Sequence, residues 1–239
     1  LFQAGASLDF DAIAASVRLS DRPHVTSVEP DLYKSLALKA TVDDPLHDQQ
    51  WHLSREGSTS VPGLGEIHAH GAWEVTKGSH DVVVGVIDSG VDLTHPDLVD
   101  NIVGGFDAVD NDNDPKAECS ASPDGQGEAS GCSGETPYLE SHSTSVSGTI
   151  AARGDNGIGL AGVCPLCGLM PIRFLGDRYT SGLTTAETFV RAVDEGAWVI
   201  NNSWGPGRSI YFPISEAEAN AFEYAHEQGR GGLGTVIVF

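Results

Sequence analysis

This chain predicts an α/β fold: a parallel sheet with helices on both faces. Three observations carry that reading. Short apolar runs recur, at Val82–Ile87, Leu169–Leu175, Trp198–Asn202 and from Thr235 onward. Segments of helical periodicity separate them, at 142–153, 184–195 and 215–228. The first run, VVVGVI, is continuous rather than alternating, as a strand covered on both sides requires. Strands that alternate with helices pair in parallel through crossovers, and the crossovers cover both faces.

Each element has its own justification. Residues 8–21 predict a short helix with Leu8, Ile13, Val17 and Leu19 apolar and Asp9 and Asp11 near its start. HVTSVEPDL alternates like a strand that Pro30 ends. A helix and a strand in so few residues bury too little to fold alone, so 1–36 reads as part of a small α+β unit. Residues 37–47 read as a linker, and 48–239 as the main domain. Within it, Ala72–Lys77 predicts a short helix and Asn101–Asp107 a second strand. Residues 110–135 are rich in Asp, Asn, Gly and Ser and read as loop. The 142–153 helix carries Ser145, Ser147, Gly148, Ala151 and Ala152, small residues that permit close packing. Parallel sheets bind ligands outside the carboxyl ends of their strands. Asp88 follows one strand and Ser203-Trp204-Gly205 follows another, so one cleft is expected to hold both.

The net charge of −21 opposes binding to nucleic acid or anionic membrane and favours divalent cations. No apolar stretch approaches the ~20 residues of a membrane span. The opening LFQAGASLDFD has neither the basic nor the apolar region of a signal peptide. Of the four cysteines, Cys119 and Cys132 flank a polar loop, and Cys164 and Cys167 bound a CPLC turn. Two local disulfides in an oxidising compartment, secreted or periplasmic, fit this best. A zinc site would need more than one CxxC half-site.

Five blocks in order resemble the subtilisin-like serine peptidases, and among them the kexin/furin-like branch: DPLHDQQWHL, VVVGVIDSGVDLTHPDL, SHSTSVSGTIAA, SWGP and QGRGGLGTVIVF. The resemblance implies a secreted serine endopeptidase with a Ser-His-Asp triad acting on peptide or protein substrates. His142 would be the general base, and Asp88 would orient its imidazole. The oxyanion asparagine and the nucleophilic serine are expected beyond Phe239, so this chain alone is expected to be inactive. A second polypeptide supplying the rest of the domain is one way to complete it. ASVRLSDRPHVTSVEPD resembles the second half of the family's inhibitory propeptide, which implies zymogen-derived material.

Calcium needs oxygen-rich loops. GFDAVDNDNDP offers Asp107, Asp110, Asp112 and Asp114. The resemblance implies a second set: Asp44, Asp97 and Asn156 with backbone carbonyls that include Arg153 and Ile158. For substrate it implies strand addition along Ser203, Trp204 and Gly205, with Gly182 on the opposite rim. Three departures stand out. Ser89 and Arg208 replace acidic residues of the dibasic-specific members, and Ser143 replaces the glycine of His-Gly-Thr. The alternative is a non-catalytic peptide-binding module, against which the presence of both the Asp and the His motif argues.

Overall fold

The computed structural model describes residues 42–53, 65–117, 141–175, 183–205 and 213–239, all within the unit Thr41–Phe239. Five strands form one sheet: β1 (Val83–Asp88), β2 (Phe106–Asp107), β3 (Gly168–Arg173), β4 (Val199–Asn202) and β5 (Val236–Val238). Their order is β2-β3-β1-β4-β5, with every pairing parallel. The helices are α1 (Ala69–Trp73), α2 (Ser141–Ala151), α3 (Thr185–Asp194) and α4 (Glu216–Gly232).

The period of two along each strand divides the core. Ile87, Met170, Ile172 and Ile200 pack on one face with Phe189 and Ala192 of α3 and Ala221 and Ala225 of α4. Val84, Val86 and Leu169 pack on the other with Ala151 of α2. On α2 the fully buried residues Ser143, Ser147 and Ala151 recur at a spacing of four, so the stripe of small side chains faces the sheet. Thr184 and Ser215 cap α3 and α4 through capping boxes with Glu187 and Glu218.

Three expectations needed correction. The first helix runs Ala69–Trp73 rather than 72–77: Ala69 and Trp73 are its buried anchors, and Trp73 Nε1 donates to Val163 O at 3.0 Å. The second strand is only Phe106–Asp107, preceded by a 3-10 turn at Val99–Asn101. Gly105 breaks the run at φ 136°, where a Cβ would stand 2.4 Å from Pro171 O. The last helix keeps helical conformation only as far as Gln228, because Gly229, Arg230 and Gly231 leave it. The turn at 164–167 closes as a Cys164–Cys167 disulfide. Cys119 and Cys132, Gly182, Arg208 and the whole 1–36 segment lie outside the described residues.

Candidate active site

Asp88 is the last residue of the central strand, with β3 on one side and β4 on the other. Its backbone carbonyl accepts from Phe174 N at 2.7 Å and Leu175 N at 3.0 Å, which fixes the strand end. Its side chain is fully buried. One carboxylate oxygen accepts from Ser89 N at 2.7 Å and faces His142 Nδ1 at 2.8 Å. His142 stands in the first turn of α2, and its side chain is 52% exposed. The loop after β1 is tied to the same helix by Asp92 N, which donates to Thr144 Oγ1 at 3.0 Å.

The protonation of this pair follows from its donors. A carboxylate at neutral pH only accepts, so Nδ1 carries the proton that joins His142 to Asp88. Nε2 is then left with its lone pair on an exposed ring, as a base requires. The neighbouring Ser143 is fully buried, and its Oγ has no hydrogen-bond partner among the described residues.

Ser203, Trp204 and Gly205 follow β4, which neighbours β1. Trp204 turns its ring inward: Nε1 donates to Ile87 O at 2.8 Å, and the ring packs near Phe174 and Phe239. Ser203 and Gly205 are exposed. The indole therefore locks this segment to the strand that carries Asp88.

The two acidic sets have different fates. Asp107 and Asp110 both pair with Arg173, a cation from β3. Asp107 also accepts from Val109 N and Asp110 N, and Asp112 accepts from Asp114 N. This loop therefore carries its own counter-charge. An arginine inside the buried strand LMPIR was the available signal, since such a group is rarely buried unpaired. The second set converges on the 153–160 loop. Asp44 and Asp97 are 5% and 3% exposed, and neither has an ion pair among the described residues. Asp44 accepts from Asp155 N at 3.0 Å and Asn156 N at 3.3 Å. Asp97 accepts from Asn156 Nδ2 at 2.8 Å and Leu160 N at 2.9 Å, while Arg153 N donates to the Asp97 carbonyl at 2.8 Å. Ile158 N donates to Asn156 Oδ1 at 3.0 Å. Two buried carboxylates with no cationic partner and an amide between them form an all-oxygen set that fits a hard divalent cation.

Two supporting residues carried no motif. Gln50 exchanges hydrogen bonds with Ala161, Nε2 to O at 2.8 Å and N to Oε1 at 3.0 Å, and so locks the N-terminal segment to the core. Asn101, fully buried, donates from Nδ2 to Ala151 O and Pro165 O at 2.8 and 2.9 Å. Its Oδ1 faces His80 Nε2 at 3.0 Å and accepts from Arg153 at 3.2 Å.

Residues 79–239 match the model of the Subtilase family. This chain is a subtilase. Within the family it is 40% identical over 136 residues to the thermophilic serine proteinase of Bacillus sp. AK1, covering 56% of this chain and 28% of that one. Fervidolysin of Fervidobacterium pennivorans is 32% identical over 220 residues, covering 87% and 27% respectively. Its crystal structure superposes with a TM-score of 0.54 at 29% identity, over 90% of this chain and 28% of that one. Mouse furin is 29% identical over 230 residues, covering 93% and 26%. The kexin/furin-like branch is thus one of several to which this subtilase is similar. The chain spans 26–28% of the length of these curated relatives.

Proposed function

We propose that this subtilase chain is the N-terminal part of a serine endopeptidase in which Asp88 and His142 are two members of a Ser-His-Asp triad. The observation that carries the reading is the 2.8 Å contact between a fully buried carboxylate and Nδ1 of a half-exposed imidazole. Asp88 holds the Nδ1–H tautomer and stabilises the imidazolium once the base has taken its proton. His142 Nε2 takes the hydroxyl proton of a serine that we assign, with the oxyanion asparagine, to sequence after Phe239. It later returns that proton to the leaving amine. Peptide is taken up along Ser203–Gly205 by backbone pairing, with Gly182 on the other rim. The inward-turned Trp204 supports this, because it leaves the main chain of that segment as the recognition element.

Calcium at Asp44, Asp97, Asn156 and the carbonyls of Arg153 and Ile158 is part of the same proposal. When bound it supplies positive charge between the two buried carboxylates and ties the start of the domain to its core. Asp107, Asp112 and Asp114 are the weaker candidates, because Arg173 already neutralises their loop. Residues 1–36 are assigned to an inhibitory propeptide and the parent to an extracytoplasmic compartment, in keeping with the Cys164–Cys167 disulfide.

Fluorophosphonate labelling of the full-length parent tests the reading. Label is expected on a serine after Phe239, and His142→Ala is expected to abolish it. A folded parent that takes no label would leave the peptide-binding module instead.

A further inference from the structure

Four of the nine histidines lie between positions 47 and 70, away from the proposed triad. Two of them meet. His47, in the 3-10 turn His47–Gln49, and His70, in α1, bring their Nε2 atoms to 2.8 Å across 23 residues of sequence. Each fixes the other in part. His70 is 7% exposed, and its ring lies 5.4 Å from that of Trp73. His47 Nδ1 stands 3.4 Å from Gln50 Oε1, and Gln50 is itself held by Ala161 at both ends of its amide. A carbonyl beside Nδ1 favours the tautomer whose Nε2 keeps its lone pair, which is how imidazoles are oriented toward metals.

We propose that His47 and His70 form a binding site for a divalent transition ion of the zinc class. Two imidazole nitrogens at the usual Zn–N distance of about 2.0–2.1 Å in tetrahedral geometry stand roughly 3.3 Å apart. The pair therefore opens by about half an ångström, a movement within reach of the partly exposed His47 ring. No group of three or more His, Cys, Asp or Glu side chains suited to a metal occurs among the described residues. The ion accordingly has two protein ligands, with solvent completing its shell, and binds in the micromolar range rather than as a closed structural site. Soft nitrogen donors separate this site from the oxygen set at Asp44 and Asp97. Its effect is a cross-link. The ion joins the N-terminal segment to α1 where Leu46 N and His47 N already bond Gly159 O and Asp44 O. The inference is independent of the peptidase reading.

The test is a titration of ZnCl2 into the protein with calcium in excess, followed by thermal unfolding, and of CuCl2 followed by quenching of tryptophan fluorescence. A saturable rise in Tm with half-effect at micromolar Zn2+ is expected, with quenching that reports Trp73 beside the ion. His47→Gln and His70→Gln are each expected to weaken both effects at least tenfold, and the exposed His226→Gln to leave them unchanged. His47 is partly exposed, so its variant folds even if the His70 variant does not. The absence of a saturable shift up to 1 mM Zn2+, or an equal response in His47→Gln, overturns the proposal.

Discussion

A carboxylate that accepts from Ser89 N and faces His142 Nδ1 on the same oxygen sets the tautomer of the base by its charge alone. Asp88→Asn in the parent keeps the shape and lets an amide N–H oppose Nδ1–H. The expected loss in kcat is about 10⁴ with KM little changed, and steady-state kinetics on a peptide substrate checks it. An unchanged kcat would remove Asp88 from the mechanism. Ser143 behaves differently because its buried hydroxyl has no partner among the described residues. Ser143→Ala relieves that desolvation and improves helix propensity, so a gain of about 1 kcal/mol is expected in urea unfolding. Asn101 is the opposite case. Asn101→Ala strands two buried carbonyls and the side chains that meet Oδ1, for an expected cost of about 3 kcal/mol by the same measurement.

At the scale of elements, two capping boxes hold the starts of the helices on one face of the sheet. Ser215 Oγ accepts from Glu218 N at 3.2 Å, and Glu218 returns a bond from Ser215 N at 2.8 Å. Ser215→Ala is expected to cost about 1 kcal/mol. The boxes also titrate. Hydrogen bonds from the backbone and then the hydroxyl of the cap residue hold Glu187 and Glu218 below the ordinary carboxylate range. A depressed folded value means that this stability is whole above the unfolded glutamate pKa, and that it is lost as pH falls through the folded one. His52 acts in the same direction at higher pH, because burial and then the charge of His47 hold it below the ordinary histidine value. Its contribution is intact above that ordinary value and falls away below it. The urea midpoint is therefore expected to decline first below about pH 6.5 and again below about pH 4.5. Paired Glu187→Gln and Glu218→Gln substitutions should flatten only the second decline.

Across the whole molecule, the oxygen set joins positions far apart in the chain, so a bound cation there stabilises folded over unfolded protein by mass action. Removing calcium with a chelator is expected to lower Tm by about 5–10 °C, from roughly 2–3 kcal/mol of linkage at a hundredfold excess over Kd. Asp97→Ala should abolish the difference between calcium and chelator. Gly159 sits at φ 52°, and a Cβ there would stand 2.0 Å from Asp97 Oδ2, so Gly159→Ala should do the same. A chelator response that survives both variants would move calcium elsewhere.

The sequence by itself determined the order of strands and helices within one or two residues from β1 onward. Continuous β-branched runs and capping residues are local signals, and the physics of burial and capping acts through neighbours in the chain. Asp88 and His142 were legible for a related reason, since each is embedded in a motif of its own. Only the tertiary structure decided what lies beside what. It placed Arg173 on the acidic loop, Asn101 at the junction of α2 and the disulfide turn, the Trp204 ring against β1, and His47 on His70. The shortness of β2 and the start of α1 belong with these. The close approach at Gly105 and the burial of Trp73 are contacts across tens of residues, and no local propensity encodes them.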